Sequence, residues 1–135
     1  MLTVMNGKLP NDKEAGASAT IFVIDDEVIL LDLAKAILQP LGYNVVTFHD
    51  PQKALNALAS AKPSLIVTDY AMGETTGLDL LRECRRINPH QKVILVSGTV
   101  DERIYADEKI RPDGFLSKPY QIRDLIESVR SLVNA

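Results

Sequence analysis

At 135 residues the chain has the length of one domain, and folding at that size buries roughly two-thirds of the unfolded surface, enough for a core without disulfides or metal staples. A hydrophobic content of 46% and a charged content of 24% match the globular average and exclude disorder, collagen and coiled coil as descriptions of the whole. Fifteen Lys and Arg against eighteen Asp and Glu leave a net charge of −3, too balanced for a surface that binds nucleic acid by electrostatics alone. The longest apolar runs, such as Ile21 to Ile24 and Val28 to Leu31, are four residues, against the roughly 20 a membrane span needs. The single cysteine, Cys84, excludes an intramolecular disulfide and a cysteine metal cage. The expectation is a cytoplasmic protein with no membrane segment and no direct nucleic-acid partner.

Residues 1–18, MLTVMNGKLPNDKEAGAS, mix Gly, Pro, Asn and charges without a period, so they read as a flexible leader or an appended remnant ahead of a domain over 19–135. From there short apolar runs alternate with longer amphipathic stretches. The runs Ile21–Ile24, Asn44–Phe48, Leu65–Thr68, Val93–Val96 and Phe115–Leu116 predict strands buried on both faces, being apolar throughout rather than alternating. Between them, Val28–Leu41, Pro51–Ala61, Leu78–Ile87 and Ile122–Val133 predict helices. The last is the clearest, with Ile122, Leu125, Ile126, Val129, Leu132 and Val133 at spacings of three and four. Gly42, Asp50-Pro51 and Asn88-Pro89 punctuate these limits. Val100–Arg111 is polar with few inward positions and predicts a short, marginal helix. Five strands alternating with five helices imply an α/β, doubly wound (βα)5 domain, because right-handed crossovers then require an open parallel sheet covered on both faces.

In such sheets ligands sit beyond the carboxyl ends of the strands. The first strand runs into Asp25-Asp26, the third ends in Asp69, the fourth delivers Ser97-Gly98-Thr99 and the fifth reaches Ser117-Lys118-Pro119. Three carboxylates, a hydroxyl and an ammonium thus converge on one edge of the sheet. Each has a bland reading on its own. Asp25 and Asp26 serve as a helix N-cap, Asp69 and Ser97-Gly98-Thr99 as turns, Lys118 as a solvated surface lysine and Phe115 as a packing residue. What weighs against these readings is that every residue falls at a strand's end. Cys84, between Leu81 and Ile87, reads as a small hydrophobe rather than a nucleophile, and His49 and His90 as surface residues in loops.

VIDDE at 23–27, TDYAMGETTG at 68–77, VSGT at 96–99 and LSKP at 116–119, in that order and reaching from about Thr20 to Leu132, resemble the receiver domain of two-component response regulators, in particular single-domain, chemotaxis-Y-like receivers. The resemblance implies the flavodoxin-like fold with strand order 2-1-3-4-5. It makes Asp69 the phosphoryl acceptor, Asp26 a direct Mg²⁺ ligand and Asp25 a ligand mainly through water. Asp69 and the backbone carbonyl of Ala71 complete the metal's protein ligands, and Lys118 binds the phosphoryl group. The chemistry is consistent: a carboxylate can attack phosphorus, but two anions repel unless a hard cation and an ammonium neutralise them. By the same resemblance Ser97 is the switch hydroxyl and Phe115 the switch aromatic, and phosphorylation is read out on the face of the fourth helix, fifth strand and fifth helix. Ala71 and Thr99 stand where the family tunes dephosphorylation. With no group at Ala71 to orient water, the lifetime of the acyl phosphate falls mainly to Thr99.

Two departures from the family pattern stand out. Gly73 replaces a proline, which predicts a looser loop after Asp69, and the interval from Ser97 to Lys118 is about a residue short. The function expected is a signalling switch, not an enzyme in the ordinary sense. It would take phosphate from a histidine kinase or histidine phosphotransfer protein, catalyse its own Mg²⁺-dependent phosphorylation and dephosphorylation, and act on a downstream protein target. A phosphorylation-dependent dimer is compatible with this. A receiver excised from a hybrid histidine kinase or larger regulator is the alternative to a stand-alone protein. A haloacid-dehalogenase-type phosphohydrolase is disfavoured because Ala71 stands where such enzymes carry a second acid. A flavin or nucleotide binder is disfavoured because Asp25-Asp26-Glu27 is not a glycine-rich loop. A degenerate receiver is disfavoured because no essential group is missing.

Overall fold

A computed structural model describes residues 19–98 and 110–134. The chain forms β1 (Thr20–Ile24), α1 (Val28–Leu38), a 3₁₀ turn (Gln39–Leu41), β2 (Asn44–Phe48), α2 (Pro51–Ala61) and β3 (Leu65–Asp69). It continues through β4 (Ala71–Met72), β5 (Thr75–Thr76), α3 (Gly77–Ile87), β6 (Val93–Ser97), β7 (Gly114–Ser117) and α4 (Ile122–Val133). Five strands pair in parallel in the order β2-β1-β3-β6-β7, and β4 and β5 form a separate antiparallel ribbon. With the ribbon set aside, the five strands run 2-1-3-4-5, as expected of the flavodoxin-like architecture.

Period-two alternation along each strand divides the interior into two halves. Ile21, Val23, Leu65, Val67, Ile94 and Val96 meet Leu31, Ala34 and Leu38 of α1 and Leu125 and Val129 of α4. Phe22, Ile24, Ile66, Val93 and Leu95 meet Ala54 and Leu58 of α2 and Leu78, Leu81 and Cys84 of α3. Helices on both faces explain why the strands are apolar throughout. No helix among the described residues is long and apolar enough to cross a membrane.

Element limits differ from the sequence expectation where hydrogen bonding decides them. The first α-helix stops at Leu38 rather than Leu41, because Pro40 has no N–H to offer the next turn; Gln39–Leu41 tighten into a 3₁₀ turn that Gly42 closes at φ 101°. β3 and β6 extend one residue further than expected, so Asp69 and Ser97 are themselves the last residues of their strands. Asp50 caps α2 by accepting from the Gln52 N–H, and Thr76 and Asp79 form a reciprocal capping box at α3. Of the helix expected over Val100–Arg111, only Ile110 and Arg111 fall within the described residues, and neither is helical.

Cys84 is sealed between α3 and the sheet, 1% exposed, and burial pushes its thiol up to about 12. Since the thiolate is the reactive form, iodoacetamide at pH 8 should leave the native chain unlabelled while modifying it in urea. Labelling of native protein at the unfolded rate would place this thiol at the surface.

Candidate functional site

The parallel ladder levels the strand ends. Beyond the paired residues, the Asp25 N–H donates to the Phe48 carbonyl at 3.1 Å, the Tyr70 N–H to Val96 at 2.8 Å and the Lys118 N–H to Ser97 at 2.8 Å. Each bond carries its ladder one step past the sheet; the first and third hold the predicted site residues Asp25 and Lys118 at the same edge, and the second holds Tyr70, the residue after Asp69. Asp25 and Asp69 are each 7% exposed and Ser97 is 3% exposed.

Lys118 joins them. Its Nζ lies 3.2 Å from Asp25 Oδ2 and 3.2 Å from Asp69 Oδ1, with Glu27 Oε1 at 3.9 Å. The lysine leaves the end of β7, at the sheet edge, and reaches past β6 to carboxylates carried by β3 and β1. Asp25 is further fixed by the Glu27 N–H, which donates to Asp25 Oδ1 at 2.9 Å. Asp26 is exposed. Asp25, Asp26 and Glu27 each place a carboxylate oxygen within 4.8 Å of the others. These are hard oxygen donors of the kind Mg²⁺ prefers, so the residues present fit the ion that the sequence implies.

Charge is unevenly distributed in this pocket. Burial, reinforced by the Asp25 charge, holds the Asp69 carboxyl above the ordinary aspartate range, and Lys118 only partly offsets that. Burial alone would lower the Lys118 ammonium, but Asp25 and Asp69 reverse the effect and its pKa is raised. Tyr120, which sequence reasoning passes over, borders the same centre: burial raises its phenol, Lys118 opposes the shift and Asp25 adds to it. A divalent cation or another positive charge would relieve the repulsion between the two buried carboxylates.

The segment after Asp69 is a closed ribbon rather than a loose loop. Ala71 pairs with Thr76 and Met72 with Thr75, leaving Gly73-Glu74 as a two-residue turn. Gly73 takes φ +65°, which proline's fixed φ of about −65° forbids. Met72 is buried, and the Thr68 hydroxyl donates toward its sulfur at 3.7 Å. Ala71 is exposed at the start of the ribbon. The Gly77 N–H then closes onto the Tyr70 carbonyl at 2.6 Å. Phe115 is half-buried and packs against the α2–α3 side of the core. Thr99 lies outside the described residues.

The family model for the response regulator receiver domain matches residues 21–130. The chain belongs to this family. Among curated relatives, the receiver domain is 31% identical over 112 residues to the response regulator receiver protein CpdR of Brucella abortus, covering 82% of this chain and 92% of that protein. It is 30% identical over 120 residues to the probable transcriptional regulatory protein TcrX of Mycobacterium tuberculosis, covering 87% of this chain and 51% of TcrX. The chain spans about half the length of several curated relatives of that kind. A response regulator receiver domain from Clostridium thermocellum superposes with a TM-score of 0.79 at 31% identity, covering 86% of this chain and 94% of that one. Chemotaxis protein CheY4 of Vibrio cholerae superposes at 0.78 with 21% identity, covering 84% and 98%, and shares the fold. The receiver domain is thus of the kind found in two-component signal transduction.

Gly77 packs against the edge that carries Asp69. A Cβ there would sit 2.5 Å from the Asp69 carbonyl oxygen and 2.6 Å from Leu95 Cδ1. Gly77→Ala should therefore destabilise the fold by about 1–3 kcal/mol through overpacking against backbone, read as a lower urea midpoint at unchanged slope.

Proposed function

We propose that this receiver accepts a phosphoryl group on Asp69 from a phosphohistidine donor, and that the acyl phosphate switches a surface for a downstream protein. The observation that carries the reading is the Lys118 ammonium at 3.2 Å from both Asp25 and Asp69, since two buried carboxylates are brought together where a transferred group can be neutralised. In the transfer, an Asp69 oxygen bonds to phosphorus while the P–N bond breaks, and the imidazole leaves with the electron pair. Hydrolysis later reverses the charge change when water attacks phosphorus and the Asp69 carboxylate departs.

Asp26, Asp69, the Ala71 carbonyl and, through water, Asp25 would hold Mg²⁺, which when bound neutralises charge between acceptor and phosphoryl oxygens. Lys118 keeps its ammonium on the acceptor oxygen and is ready to follow negative charge onto the phosphoryl group. Burial of Asp25 and Asp69 removes competing water and strengthens these interactions. Ser97, the last residue of β6, offers the hydroxyl that meets the arriving phosphoryl group. Phe115, half-buried on the neighbouring strand, is the aromatic that responds. Ala71 and Thr99 set the lifetime of the phosphorylated state.

Donor docking is supported by the apolar surface beside the pocket. Val28, Ile29 and Leu33 of α1 are 55%, 80% and 44% exposed. Next to them a recess of about 330 Å³ is lined by Leu30, Leu33, Pro119, Tyr120 and Lys118 itself. A protein seated on this face would present its phosphohistidine to the same ammonium that holds Asp69.

Incubation with acetyl phosphate and Mg²⁺ should give a one-phosphate mass adduct that Asp69→Ala abolishes; absence of any adduct in the parent protein would leave only an interaction module. Lys118→Ala should slow adduct formation by about a hundredfold or more. Ile29→Glu should leave acetyl phosphate phosphorylation unchanged while slowing transfer from a phosphorylated histidine kinase or phosphotransfer protein. An equal effect on both donors would argue against the α1 face.

A further inference from the structure

Glu27 is the N-cap residue of α1, yet its side chain makes no capping hydrogen bond. The two helices that follow are capped by side chains, from Asp50 and Thr76, the short oxygens that suit this task. Glu27's carboxylate is turned to the pocket instead. Its Oε1 lies 3.9 Å from Lys118 Nζ, and it falls within 4.8 Å of carboxylate oxygens of Asp25 and Asp26. Its backbone N–H, meanwhile, holds Asp25. Lys118 therefore faces three acids, two of them buried and one, Glu27, with a side chain 67% exposed at the mouth.

We propose that Glu27 is a third acid of the receiver's cation pocket, raising its affinity for a divalent cation while repelling the anionic phosphodonor that must pass the same mouth. The inference rests on the receiver reading above and concerns a residue that the acceptor chemistry does not itself require. Solvent at the mouth screens this carboxylate, so its effect is smaller than that of a buried acid and depends on salt. An isolated negative charge at a helix N-terminus would be expected to stabilise α1. That role alone predicts a change in stability with no change in cation affinity.

The test is calorimetric titration of Mg²⁺ and Mn²⁺ into the parent chain, Glu27→Gln and Glu27→Asp, with Glu83→Gln on α3 as a charge-matched control. Removing one charge near a divalent ion should raise the dissociation constant by about three- to tenfold in Glu27→Gln at low ionic strength, with the gap narrowing in 0.5 M salt. Glu27→Asp should fall between the two, and Glu83→Gln should match the parent. At saturating Mg²⁺, Glu27→Gln should also take phosphate from acetyl phosphate faster than the parent. Unchanged cation affinity in Glu27→Gln, or an equal loss in Glu83→Gln, overturns the role of Glu27 while leaving the receiver reading intact. A parent chain that binds neither cation overturns both.

Discussion

Two carboxylates held out of water a few ångströms apart repel, and they stay together only because an ammonium sits between them. In this protein Lys118 meets both Asp25 and Asp69; the Asp69 carboxyl is raised by burial and by Asp25, and the Lys118 ammonium is held charged by the two acids. Removing the lysine leaves two buried carboxylates uncompensated, which is costly, whereas removing either acid leaves a balanced pair. The same imbalance makes the pocket receptive. Among the described residues it is an anionic cage around one counter-charge, which suits the cation binding and phosphoryl transfer proposed above.

Everything else in the fold serves to hold that triad at one edge. β1, β3 and β7 are not neighbours in sequence, and β6 separates β3 from β7 in the sheet. Parallel pairing sends all their carboxyl ends the same way, and the crossover helices supply the two apolar faces that make such a sheet stable. The interior is therefore a platform whose rigidity is transferred to the strand ends by three further backbone hydrogen bonds. The long, flexible lysine stem is what allows an edge strand to contribute to a centre two strands away.

The ribbon after Asp69 shows how local backbone chemistry closes the platform. Gly73 stands in the left-handed region and permits a two-residue turn; Met72 anchors that turn in the core; Gly77 has no side chain because the Asp69 carbonyl and Leu95 occupy the space. Replacing the family's proline by glycine thus exchanges one way of restricting the backbone for another. Ala71, at the ribbon's first position, is exposed two residues past Asp69.

Much of this was legible in the chain alone. Continuous apolar runs of strand length announced a sheet covered on both sides, and Asp25, Asp69, Ser97 and Lys118 each followed such a run, so topology required them to share an edge. Element limits set by single hydrogen bonds, such as the end of α1 before Pro40, were not. Nor was the division of labour within Asp25-Asp26-Glu27, because adjacent acids are equivalent as letters. Only the turn from β1 into α1 decides that Asp25 is buried against Lys118, that Asp26 faces solvent and that Glu27 stands at the mouth. Sequence determines which charges reach the edge, since strand periodicity is local; tertiary structure decides which of them touch, since contact depends on how separate strands twist and where one long side chain can reach.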